Sequence, residues 1–362
     1  MGVRAPLRGI SSTAEIGVLG CTEVAWQYRP VNEEYRALRE SAALLDHSGV
    51  GLIRVTGPGA TDLMQRAAAR DVEYMFPERC LTTLLLDSDG DIVDLVVIYR
   101  VEDGYSLETS FGRSETTAAH LVELSRLEDH RAVVSDASGD VVILGLEGPG
   151  ALECASEAVD DVLASLPFQG VASVQHQGSN VVVSRTGYTG EYGYKFLAPS
   201  TAGQSLSEAL LRVAEPVGMR ALEVAMLEVR QPILHRELGT GANAVNCGFQ
   251  WLVESGKPDF VGREALMAQH ESRDHATVGF ETRDTSADLL GSRILVDDLH
   301  VGSVVFAAYS PGRGNVLGIA RIESSWAASG IDLKAETRIG RVPVRTLSSP
   351  YVVPRSWGGT RA

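Results

Sequence analysis

Between Arg185 and Phe196 the chain sets Gly187, Gly190 and Gly193 among hydroxyl and aromatic side chains. Glycine at this spacing predicts a tight turn, because it takes left-handed backbone conformations without a steric penalty. Alternation after the turn predicts a strand with Tyr192, Tyr194 and Phe196 on one face and Gly193 and Lys195 on the other. A ligand can approach the backbone closely there. A second chemical group stands in the β-rich apolar run 92–99, where Asp94 is the only charged side chain. A carboxylate held rigidly toward a poorly hydrated cavity stabilises developing positive charge or accepts a proton. The same residue can also simply end a hairpin and cap local N–H groups. A third group is the cluster His235, Arg236 and Glu237. His235 is the candidate general base, since imidazole titrates near neutrality, and a solvated loop of charges is the alternative.

The elements that must position these groups are set by periodicity. Residues 30–45 predict an amphipathic helix with Asn32 able to cap it, Glu33 and Glu34 in the first turn, and Tyr35, Leu38, Ala42 and Leu45 at helical spacing. A strand over 51–56, a turn at Gly57–Gly59 and a helix over 60–69 come next. Runs 81–86 and 92–99 are joined by Asp87, Ser88, Asp89 and Gly90, a hairpin signal. Strands over 141–146 and 181–184 and helices over 150–159, 204–213 and 219–229 continue the mixture. Beyond Leu266 the chain changes to short strands and turns up to Val342, which predicts a small all-β domain with its boundary in 270–275.

Composition narrows the function. With 362 residues, 44% of them hydrophobic, the chain can bury a large core, and no apolar stretch approaches a membrane span. A formal net charge of −15 repels a phosphate backbone, so nucleic acid is not an expected partner. The four cysteines are dispersed without a CxxC and read as reduced thiols; the eight histidines form no metal-ligand spacing, so no metal is expected. Neither a GxxxxGK[ST] loop nor a GxSxG elbow occurs. The segment up to about Leu19 lacks the apolar block of a secretory signal and reads as a loose or partly docked arm. The expectation is a cytoplasmic protein with a small-molecule partner and no membrane partner; oligomeric state is left open.

Several fragments in one order resemble the aminomethyltransferase family, whose founding member is the folate-dependent T-protein of glycine cleavage. Residues 187–195 resemble the family's Gly-Tyr-Thr-Gly-Glu-Asp-Gly-x-Glu, residues 46–51 its Asp-x-Ser-x-x-Gly, and residues 90–97 its Gly-x-Ile-x-Asp-Leu-x-Val. Residues 146–149, 259–266 and 309–311 match further landmarks, so the resemblance runs from about Tyr35 to Tyr351. It implies an α+β cloverleaf of three subdomains around a central opening: two intertwined α/β subdomains over 1–270 and a C-terminal β-barrel over 271–362. It also implies tetrahydrofolate in that opening and transfer of one-carbon units to or from its N5, the donor being an aminomethyl-lipoyl arm, an ether, a thioether or an N-methyl group. The family's shared aspartate falls on Asp94, and Tyr188 keeps its turn context.

Three positions depart from the pattern. Where the family has the glutamate that grips the pterin ring, this chain has Lys195, and an ammonium cannot accept the two hydrogens a pterin offers side by side. A solvent-facing strand lysine is the plainer alternative. The family's helical arginine falls on Met226 and its asparagine near Thr109. Arg230 is positioned in sequence to supply a cation, and Glu191 or Glu228 a carboxylate, so the expectation is weakened or rotated pterin binding with one of those glutamates as clamp. Lys195→Glu is expected to strengthen reduced-folate binding, with a triple variant that also reverts Met226 and Thr109 as its control. The chain is thus read as a divergent member rather than an authentic T-protein. Its expected activity is tetrahydrofolate-dependent methyl or aminomethyl transfer, or demethylation, with an altered pterin site. Two alternatives stay open: a folate-independent enzyme on the same scaffold with a small substrate, anionic if Lys195 meets it, or a non-catalytic binding protein.

Overall fold

The computed structural model describes residues 7, 10, 13–20, 22–159, 163–239, 242–286 and 288–358. Two mixed β-sheets and a closed barrel organise them. The first sheet has six strands, in the order Val171–His176, Ser179–Ser184, Gly193–Pro199, Val141–Glu147, Ala43–Asp46 and Glu215–Val217. The second has five, in the order Cys80–Leu86, Ile92–Val101, Gly104–Glu108, Leu52–Thr56 and Val133–Asp136. The chain enters the first sheet at Ala43–Asp46, crosses into the second through residues 47–51, and returns at Val141–Glu147. The two sheets are therefore interleaved in sequence, and residues at the crossing lie between them.

The expected all-β region is a closed six-stranded barrel from His275–Thr282 to Gly340–Leu347, with Phe280, Ile294, Ile322 and Ala335 in its core. The helix Met219–Val229 forms as its spacing predicts, and Gly90 closes the Asp87–Gly90 turn at φ +78°. The strand Gly193–Pro199 is buried on both faces: Tyr194 and Phe196 pack with Leu44, Leu144 and Val183, while Lys195 points the other way and is 1% exposed. Lys195 is not a solvent-facing lysine.

The first helix corrects its expectation. It spans Val31–Glu40 and gives way to the strand Ala43–Asp46, which pairs antiparallel with Val141–Glu147 and parallel with Glu215–Val217. Backbone pairing with distant strands overrides a helical period that local sequence continues to Leu45. Nor does Asn32 cap: Pro30 occupies the N-cap. The Glu34 carboxylate instead accepts from the backbone N–H groups of Tyr28, Arg29 and Gly218 at 2.6, 2.8 and 2.9 Å.

Of the N-terminal arm, Leu7 is fully buried and Glu15–Leu19 pairs with Thr22–Gln27; most of the rest, like Cys21, lies outside the described residues. Cys80, Cys154 and Cys247 are free thiols. Among the described residues no helix is long and apolar enough to cross a membrane, and no His/Cys/Asp/Glu group is arranged to hold a metal.

Candidate active site between the two sheets

Asp94 lies on the strand Ile92–Val101 and is fully buried. Thr117 Oγ1 donates to its Oδ2 at 2.6 Å, Leu95 N to Oδ1 at 2.8 Å, and Ser110 N to both oxygens at 3.2 Å. Arg113 Nε stands 3.9 Å away while donating to Val93 O. Burial raises the Asp94 pKa to about 6, against the hydrogen bonds from Thr117 and Ser110 and the charge of Arg113. The adjoining loop is braced by Thr109, whose hydroxyl accepts from Gly51 N at 2.9 Å and donates to Ser110 O at 3.1 Å. A carboxylate fixed by this many donors keeps its orientation as charge changes around it.

Lys195 reaches across the gap between the sheets. Its Nζ donates to Glu108 Oε2 at 2.6 Å and to Tyr188 Oη at 3.2 Å, and lies 4.6 Å from the Tyr188 ring centroid. Burial works against the ammonium, but the Glu108 carboxylate outweighs it and holds the Lys195 pKa above its ordinary value. The other Glu108 oxygen takes a short hydrogen bond from Tyr99. Tyr99 Oη is 3.0 Å from Ser184 Oγ, itself 3.0 Å from Thr186 Oγ1.

The glycine-rich turn is tied down from beneath. Glu147, fully buried, accepts from Tyr188 N, Thr189 N and Thr189 Oγ1 at 2.7 to 2.9 Å. Glycine is required at 187 and 193 by close approach: a Cβ at Gly187 would stand 2.9 Å from Glu147 Oε2, and one at Gly193 2.7 Å from Thr186 O. This stack presents Tyr188 and Lys195 toward Glu108 at the end of the strand Gly104–Glu108, next to Thr109 and the loop whose Ser110 N holds Asp94.

Known proteins share this architecture. Residues 9–257 match the GCVT N-terminal domain, and residues 276–352 match the glycine cleavage T-protein C-terminal barrel domain. The chain belongs to the glycine cleavage T-protein family. Among its relatives are proteins named aminomethyltransferase from Geobacillus thermodenitrificans, 29% identical over 92% of this chain and 93% of the relative, and from Thermosynechococcus vestitus, 28% identical over 98% and 96%. A crystal structure of glycine cleavage system aminomethyltransferase T from Bartonella henselae is similar in fold, with TM-score 0.88 at 22% identity over 97% of this chain and 98% of that one.

Set on this T-protein fold, the remaining expected site residues fall in different places. Glu191 and Glu228 do not supply a free clamp: they close on Arg39 from two sides, at 3.1 and 2.9 Å. Glu191 also accepts from Arg355 N, Ser356 N and Ser356 Oγ, and Glu228 from Tyr35 Oη and Ser310 Oγ, so protein donors occupy both carboxylates. Arg230, left-handed at the end of its helix, forms a two-bonded pair with Glu237 and is no free cation. Met226 packs into the core with Leu222 and Tyr351. His235 pairs with Glu223 at 2.5 Å beside Arg236, which stacks over Trp26 and Phe306, so its carboxylate partner is not Asp94.

Two residues that sequence reasoning did not single out join this cluster. Glu108 is one; its only local signal is a carboxylate ending a β-rich run next to Thr109. His47 is the other, an imidazole inside the Asp46–Gly51 fragment, ringed by Phe111 and Tyr188 at centroid distances of 5.5 Å each.

Proposed function

We propose that this chain is a tetrahydrofolate-dependent methyl or aminomethyl transferase, or demethylase, in which Asp94 is the charge-stabilising carboxylate. Its family membership makes it an enzyme of the one-carbon transferase class. The observation that carries the finer reading is Asp94: fully buried, held by four hydrogen bonds, with a pKa near 6. Positive charge develops as a one-carbon unit leaves its heteroatom. A fixed carboxylate in a dry site stabilises that charge or takes the proton released with it.

The pterin-facing wall is altered rather than absent. Lys195 stands at the position of the gripping glutamate, yet Glu108 brings a carboxylate to the same place from the other sheet. That pairing neutralises Lys195, which removes the electrostatic basis for an anionic substrate on the folate-independent reading. Tyr188 would form one wall for reduced folate, and the Lys195–Glu108 pair the polar edge.

Two measurements test the reading. Titration calorimetry with tetrahydrofolate is expected to give saturable binding, abolished or weakened by Tyr188→Ala; no heat at millimolar ligand would favour the folate-independent alternatives. The pH profile of kcat/KM is expected to fall on the acid side with a midpoint near 6, because Asp94 is ionised above that pH and protonated below it. The limb should be absent from the residual activity of Asp94→Asn. A flat profile from pH 5 to 8 would remove Asp94 from the chemistry.

A further inference from the structure

The imidazole of His47 lies in a space that exists only because residue 145 is glycine. A Cβ built on Gly145 would stand 2.6 Å from His47 Cε1 and 2.8 Å from Nε2. Gly145 is the direct cross-strand partner of Lys195, so the two residues share one face of the first sheet. The His47 ring therefore covers Gly145 on the face that Lys195 shares, near enough for the charge of Lys195 to act on it. Its backbone is fixed, with N donating to Ile143 O at 3.1 Å and O accepting from Val50 N at 2.8 Å. The ring is fully buried, and neither nitrogen has a hydrogen-bond partner. A buried polar group left without a partner carries its full desolvation cost, and native structures keep few of them.

Its protonation state is defined. Burial, and then the charge of Lys195, push the His47 pKa well below the ordinary imidazole value, so it is neutral, with one nitrogen a donor and the other an acceptor. The ammonium of Lys195 carries three N–H groups, and two go to Glu108 and Tyr188. That face of the sheet thus holds both an acceptor and a donor, walled by the Phe111 and Tyr188 rings.

We propose that His47 and Lys195 form the specificity edge of the ligand site, reading a flat ring that presents an N–H beside a carbonyl oxygen. The His47 acceptor nitrogen takes the ring N–H, and the remaining Lys195 N–H donates to the carbonyl. This rests on the folate reading above, for a pterin carries that pair at N3–H and O4. A glutamate would instead take N3–H together with the 2-amino group. The altered residue at 195 thereby moves recognition by one position around the pterin ring.

The test uses the full chain with its histidines labelled with nitrogen-15, the His47 signals being assigned by their loss in His47→Leu. The probes are tetrahydrofolate, its 2-desamino and 4-amino-4-deoxy analogues, and uracil, a non-folate with N–H beside C=O. Tetrahydrofolate is expected to shift the His47 ring nitrogens, the 2-desamino analogue to bind within about threefold of it, and the 4-amino analogue about tenfold or more weaker. Calorimetry should show His47→Leu losing about tenfold in tetrahydrofolate affinity with an unchanged or higher Tm. If tetrahydrofolate binds without moving His47, or the 2-desamino analogue loses tenfold, the edge is overturned and the folate reading stands. If uracil moves His47 while no folate binds, the edge stands and the folate reading falls. If neither probe moves His47, the edge is overturned. Should His47→Leu fail to fold, loss of the same signals in His47→Gln assigns them, and the shifts themselves are read on unmutated protein.

Discussion

Asp94→Asn is expected to lower turnover by about 10²-fold or more while the protein stays folded, the scale found when a preorganised electrostatic group is removed. The substitution suits the site. An amide keeps an oxygen to accept from Leu95 N and Ser110 N, and its NH2 can donate to Thr117 Oγ1, so the local geometry is retained. What is lost is the negative charge, in a fully buried position where charge is least screened. The loss should appear in kcat more than in tetrahydrofolate affinity, because developing charge exists in the transition state and not in the bound ground state. Single-turnover measurements of one-carbon transfer to tetrahydrofolate, with calorimetry and a thermal melt on the same preparation, separate these effects. Unchanged turnover in a folded variant would leave Asp94 as a residue that only ties its strand to the 109–117 segment.

Removing the ammonium at position 195 is expected to cost stability more than any other change in the site. In Lys195→Met, Glu108 keeps the Tyr99 hydroxyl but loses its counter-charge in a gap with almost no exposure. Breaking a buried pair from one side costs about 3–5 kcal/mol, because an uncompensated charge remains. Adding Glu108→Gln should recover most of that loss, since replacing both charges removes the desolvation cost along with the attraction. Urea-unfolding midpoints of the parent, single and double variants check this. A single variant as stable as the parent would mean that water reaches Glu108.

The same contact revises what Lys195→Glu alone can do. It would face the Glu108 carboxylate with another one in a dry gap, where two like charges cannot both ionise. Restoring a family-like acceptor therefore requires a charge swap, Lys195→Glu with Glu108→Lys. This pair is expected to keep stability near the parent while returning a carboxylate to the first sheet.

From the sequence the reversal involves positions 195, 226 and 109 and not Glu108, because only part of the site is locally encoded. Asp94, its hairpin and the glycine turn at 187–193 are legible because each lies in a continuous stretch: alternation, a turn and a carboxylate in an apolar run. The barrel is legible for the same reason, as short alternating strands with turn residues between them. The family order of these fragments then supplies the architecture.

The occupants of the site's polar groups are decided elsewhere. Lys195 and Glu108 are 87 residues apart on different sheets, and nothing local to either marks the other as its partner. Glu191 and Glu228 look available in sequence, but Arg39, from a helix more than 150 residues away, takes both. The helix expected to run to Leu45 stops at Glu40 because the distant strand Val141–Glu147 pairs with residues 43–46. His47 counts only because Gly145 leaves room for its ring beside Lys195. Local periodicity sets which face of an element is apolar, and so the sequence alone determined most of the elements and the position of Asp94. Which buried charge meets which is fixed when sheets formed from distant segments close on each other, so only the tertiary structure decided that Lys195 is a buried ammonium neutralised by Glu108, with the unpaired imidazole of His47 on the same face.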